Sequence, residues 1–118
     1  MNYDLEERTA KFGEEVIDFL KTLNQNSINI PLINQTMRSA TSIGANYCEA
    51  NNASSKSDFR NKIFICKKEA SETKYWFRMI ARANDDKKDI CKMLWKEANE
   101  LTMIFSKITT SVNKKFLS

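Results

Sequence analysis

The sequence predicts an all-α fold, an up-down-up-down antiparallel four-helix bundle, and three observations carry that prediction. Two glycines and one proline in 118 residues leave almost no punctuation for a sheet or a loop-rich fold. Apolar residues recur at steps of three and four in four separate stretches, the period of a buried helical stripe. The connections are only two to seven residues long, which forces neighbouring helices to run antiparallel. At this length residues 1–118 form one domain with room for a real core.

The first helix is expected over residues 4–24, with Leu5, Thr9, Phe12, Val16, Phe19, Leu20 and Leu23 as its stripe. The polar run QNSINI follows, and Pro31 suits the first turn of a second helix over 31–52, where its missing N–H costs nothing. On that helix Met37, Ala40, Thr41, Ile43, Gly44, Tyr47 and Cys48 make the face expected to be buried. Ser55 with Asp58 has the capping-box pattern, which starts the third helix, 56–84. Asp86 with Asp89 repeats it and opens the fourth, 87–112, with Ile90, Met93, Leu94, Leu101, Ile104, Phe105, Ile108 and Val112 inward.

Composition removes several function classes. With no histidine and no CxxC pair, zinc sites, haem ligation by histidine and Ser-His or Cys-His nucleophiles are not expected, and no cofactor or metal is implied. Cys48, Cys66 and Cys91 read as small buried hydrophobes. No apolar run approaches the roughly 18 residues that span a bilayer. The stretch MNYDLEERTAKF is acidic and polar, unlike a secretory leader, so a cytoplasmic protein is the expectation.

The net charge of +4 is unevenly spread: residues 1–24 sum to −3, 25–54 to zero, 55–84 to +5 and 85–118 to +2. Advancing about 100° per residue puts Lys56, Arg60, Lys67, Lys74, Arg78 and Arg82 within an arc of about 80° on the third helix. Phe64 and Tyr75 flank them, and the row is about 39 Å long at 1.5 Å per residue. A lysine-rich face is ordinarily just solvated. A one-sign row with three arginines and two aromatics more often meets an anion, and phosphate backbones are the commonest such partner. With no sequence-reading motif present, such binding would run on backbone charge.

The segment RSATSIGANYCEA poses a different problem. Arg38, Ser42, Asn46 and Glu49 sit on the polar side of their helix, with short side chains where a solvated face favours long ones. That suggests a contact between helices or subunits. Counting levels from a turn centred near 55 puts Arg38 beside Glu72, which predicts an ion pair between them, and puts Glu49 level with Asn61, one residue from both Arg60 and Lys62. Glu97 falls inside the apolar arc of the fourth helix, and the same counting names Thr73 as its nearest donor.

The run RSATSIGANYCEANNASSKSDFRNK and the later KEASETKYWF resemble the four-helix bundle proteins encoded by intervening sequences in bacterial 23S ribosomal RNA genes. The positions that carry the likeness include Arg38, Ser42, Ile43, Asn46, Glu49, Ser55, Asp58, Phe59, Glu72, Tyr75 and Trp76. The resemblance implies a left-handed bundle, a ring-shaped homopentamer and no catalytic activity. It extends to a related branch, the accessory variability determinant proteins of diversity-generating retroelements, which work with a reverse transcriptase and nucleic acid. Two function classes follow. One is a non-enzymatic oligomer binding RNA or DNA through the basic row. The other is a structural or protein-interaction module of a homopentamer, with an acidic protein partner such as a reverse transcriptase. On both readings Arg38, Ser42, Asn46, Glu49, Glu72 and Trp76 are contact residues within or between subunits.

Overall fold

The structure, a computed structural model, describes residues 2–117, with side chains for residues 4–113. It comprises α1 (Asn2–Leu20), α2 (Asn29–Asn51), α3 (Lys56–Ala83) and α4 (Lys88–Leu117), with a 3-10 turn over Asp85–Lys87 before α4. They form an elongated four-helix bundle, 50 × 23 × 20 Å, without strands among the described residues. No helix there is long and apolar enough to cross a membrane.

Local chemistry sets the helix boundaries. Ser55 caps α3, its Oγ accepting from the Asp58 backbone N–H at 3.0 Å. α2 begins two residues before Pro31, and its free donors are taken by a side chain outside it: Asn26 Oδ1 accepts from the Ile28 and Asn29 N–H groups at 3.1 and 2.8 Å. α1 stops at Leu20 rather than Asn24, because Thr22 and Leu23 donate to carbonyls three residues back and tighten the last turn. The expected Asp86–Asp89 capping box does not open α4. The chain instead enters through the 3-10 turn, with Lys87 N–H donating to the Asn84 carbonyl at 2.9 Å.

The core runs along the axis and is knitted across both diagonals. Phe77 of α3 meets Phe12 of α1 edge-on at 6.3 Å and Phe19 at 6.5 Å, while Tyr47 of α2 lies 5.9 Å from Phe105 of α4. Burying side chains of this size contributes about 1.5–3 kcal/mol each. The whole α1 stripe is buried as expected. At the α1–α2 seam Gly44 brings the backbones together: a Cβ there would stand 3.4 Å from Thr9 Oγ1. At one end of the bundle Asn29 and Asn84 exchange hydrogen bonds, 3.1 and 3.0 Å, through their side-chain amides. Asn29 is buried and also donates to the Asn24 carbonyl, so the α1–α2 and α3–α4 connections are joined there.

Several expected core positions are exposed. Ile90 and Met93 of α4 are 40% and 69% exposed, and the residues turned inward are Cys91, Leu94 and Ala98. The α1 side facing them carries Lys11, Glu15 and Asp18, which cannot cover apolar groups, so a groove of about 740 Å³ stays open between α1 and α4. On α2, Met37, Thr41 and Cys48 are exposed because α1 covers only the residues nearer the axis. Cys48 therefore departs from the reading of all three cysteines as buried; Cys66 and Cys91 conform to it.

Candidate functional site

The site grows out of the two seams that α3 makes with its neighbours. Toward α2, the cations are matched with carboxylates. Arg38 forms an ion pair with Glu72, the one that level counting predicts, and its Nη1 reaches Glu69 Oε1 at 3.2 Å. Glu69 is almost fully buried, a position that charge alone would not suggest. Its helical angle, one turn from the apolar stripe, is the signal that was there to be read. Trp76 Nε1 donates to Glu72 Oε2 at 2.9 Å, and Lys62 reaches Glu49 at 2.8 Å, raising the lysine pKa through that hydrogen bond.

The short polar residues of α2 mostly turn to their own helix. Ser42 Oγ donates to the Arg38 carbonyl at 2.6 Å and Asn46 to the Ser42 carbonyl at 2.8 Å. Beneath them Thr73 Oγ1 donates to the Glu69 carbonyl and lies 2.8 Å from Ser39 Oγ. Thr73 is thus occupied within the α2–α3 seam and is not the partner of Glu97. Glu97 faces α1, where Arg8 grips it with two hydrogen bonds of 2.7 and 2.8 Å, which raises the guanidinium pKa. Level counting across one hairpin could not find this, because no turn joins α1 to α4.

Toward α4, the chemistry changes. Arg60 Nε donates to Asn113 Oδ1 at 2.7 Å while its guanidinium lies 5.1 Å above the Phe64 ring. Lys74 Nζ is 3.0 Å from Asn99 Oδ1 and 5.5 Å above the Trp95 ring. Lys67 is half-buried, and Lys56, Arg78 and Arg82 are exposed. None of these six cations has a carboxylate partner among the described residues. Neutral amides and aromatic faces orient the charges without cancelling them.

Sequence reading by single helices missed the α4 contribution. Lys88 and Lys92 line a small cleft of about 220 Å³ with Arg78 and Trp95. Lys88 is loosely held by Asp85 at 3.4 Å. Lys92 stands level with Arg78 when positions are counted from the turn near residue 85, so the count that misplaced Glu97 would have found it. The two aromatics of the row, 36% exposed at Phe64 and 52% at Tyr75, edge a second, shallow depression of about 620 Å³ that Lys67, Lys68 and Ser71 also line.

Geometry and charge together define a class: a small helical bundle presenting a cationic face, with its other ion pairs closed internally. The chain belongs to the 23S rRNA-intervening sequence protein family, whose profile matches residues 1–107. Among solved structures, it is similar to a crystal structure from Bacteroides thetaiotaomicron, described as a protein of unknown function from the S23 ribosomal protein family. The two share 28% identity over 92% of this chain and 97% of that one, with a TM-score of 0.84. No curated protein matches the chain.

Proposed function

We propose that this protein is a non-enzymatic cytoplasmic homo-oligomer, a pentamer as the sequence resemblance implies, that binds RNA or DNA by its backbone through α3. One observation carries the reading: among the described residues none of the six cations of the α3 row has a carboxylate partner, and Arg60 and Lys74 rest on neutral amides and rings, while Arg8, Arg38 and Lys62 elsewhere are paired with carboxylates. A row of unmatched charge attracts polyanions, and several copies in one assembly convert weak contacts into avidity.

Fluorescence anisotropy with labelled RNA and DNA tests it. Binding is expected at low salt, falling steeply as salt rises because bound phosphates release counterions. Replacing Lys67, Lys74 and Arg78 together by Glu should abolish binding while the helical circular-dichroism signal persists. Absence of binding at low salt to either nucleic acid sinks the reading. Light scattering on the purified protein tests the oligomer separately, and a monomer at micromolar concentration would overturn that part.

A further inference from the structure

We infer that the ligand of this face is single-stranded nucleic acid, held by stacking of bases as well as by charge; the inference rests on the backbone-binding reading above and narrows it. The observation is the interleaving of exposed aromatic faces with unmatched cations. Phe64, Tyr75 and Trp95 are 36%, 52% and 39% exposed. All three border the basic row, two of them on α3 and one on α4. Arg60 and Lys74 sit over the Phe64 and Trp95 rings, and the Tyr75 ring meets Trp76 edge-on at 5.0 Å; among the described residues no other ring or cation packs on Phe64 or Trp95.

The surface between Phe64 and Tyr75 is a shallow depression with the small Ser71 among its lining residues and lysines at its rim. Phe64 and Tyr75 are eleven residues apart in sequence, about 16 Å along the helix. Glu72 shares the rim, but its carboxylate is occupied by Arg38 and by the Trp76 indole N–H, so it does not confront an incoming phosphate unmatched. A duplex would present sugars and phosphates to these rings and keep its bases out of reach. A single strand can lay bases on them while its phosphates follow Lys67, Lys74 and Arg78. Stacking of this kind tolerates any sequence, which suits a face without a recognised base-reading motif.

The test compares single strands with duplex at matched salt, using labelled oligonucleotides of about 20 nucleotides, longer than the site sizes of typical single-strand binders. The wild type should bind a thymidine oligomer at least about tenfold more tightly than a blunt duplex of mixed sequence. Phe64→Ala with Tyr75→Ala should cost about five- to hundredfold on the single strand for one lost stack and about thirtyfold or more for two, and leave duplex affinity unchanged. The salt slope should stay the same, because no phosphate contact is removed. A second variant, Tyr75→Phe, keeps the ring and should restore binding, which separates stacking from damage to the fold. Equal affinity for both forms, insensitive to the aromatic changes, overturns the single-strand inference and leaves backbone binding standing. No binding of either form at low salt overturns both.

Discussion

The two long seams of α3 use the same charged residue types to opposite ends. Against α2, Arg38 meets Glu69 and Glu72, and Lys62 meets Glu49, so the charges close on one another and fix register. Against α4, Arg60 and Lys74 meet Asn113, Asn99 and Trp95, which hold the side chains in place and leave their charge available. An ion pair spends its field locally, whereas a cation on an amide or a ring keeps its field for a distant anion. Counting charges along α3 cannot distinguish these cases. The identity of the partner across each seam does.

The largest effect that would break this comparison belongs to the α4 side. Charge reversal at Lys67, Lys74 and Arg78 should weaken nucleic-acid binding by more than about a hundredfold at low salt, since each lost phosphate contact also lowers the salt slope by about one. Its melting temperature should stay close to wild type, because no carboxylate partner is left unpaired. On the α2 side the expectation is inverted. Arg38→Ala leaves the buried Glu69 carboxylate without its cation, which should cost about 2 kcal/mol and lower the melting temperature by about 8 °C. That figure lies below the range for fully buried pairs because the arginine is partly solvated. Nucleic-acid binding by this variant should fall only modestly, because Glu72 at the rim of the aromatic depression loses its cation; a loss as large as that from the charge reversal would mean that the seams are not independent.

Alkaline pH offers a smaller probe of the same packing. Burial pushes the Cys66 thiol up to about 12 and the Cys91 thiol up to about 11, from an ordinary 9.0. The folded state therefore holds these protons more tightly than the unfolded chain does. Their contribution is fully present below pH 9.0 and is lost progressively as pH rises through 11 and 12. Urea unfolding at a pH of about 10 should show lower stability than at about 8, and Cys66→Ala should remove about half of that dependence, because Cys91 keeps the rest. The smallest effect is expected at Glu49→Ala. It removes an exposed pair with Lys62, so the denaturation midpoint should not move beyond measurement error.

How much the sequence disclosed depends on whether a residue's partner lies within its own hairpin. The α1 stripe was legible whole, and those of α2 and α4 in part, because helical periodicity is local; so was the Arg38–Glu72 pair, because one short turn fixes the level of α2 against α3. Glu97 was misread because its partner, Arg8, lies across the α1–α4 seam, whose register is set by packing of the whole bundle. Ile90 and Met93 were misread for a related reason. Their own stripe is apolar, but burial also needs a facing surface, and α1 offers Lys11, Glu15 and Asp18 there. Lys92 escaped notice because the basic row was drawn on one helix, while the cationic face spans two.

The reciprocal amides of Asn29 and Asn84 give the bundle a direction of opening. They clip two interhelical connections together at one end, whereas the other end has the single connection between α2 and α3. Thermal fluctuations that part the hairpins should therefore start at the α2–α3 end and travel toward the clip. Amide protons near residue 29 should exchange through rarer, larger openings than those near residue 51. Arg78, Lys88 and Lys92 lie near the clipped end and Lys56 and Arg60 near the other, so the same exchange measurement should find the charged face firmer at its Arg78 end than at its Lys56 end.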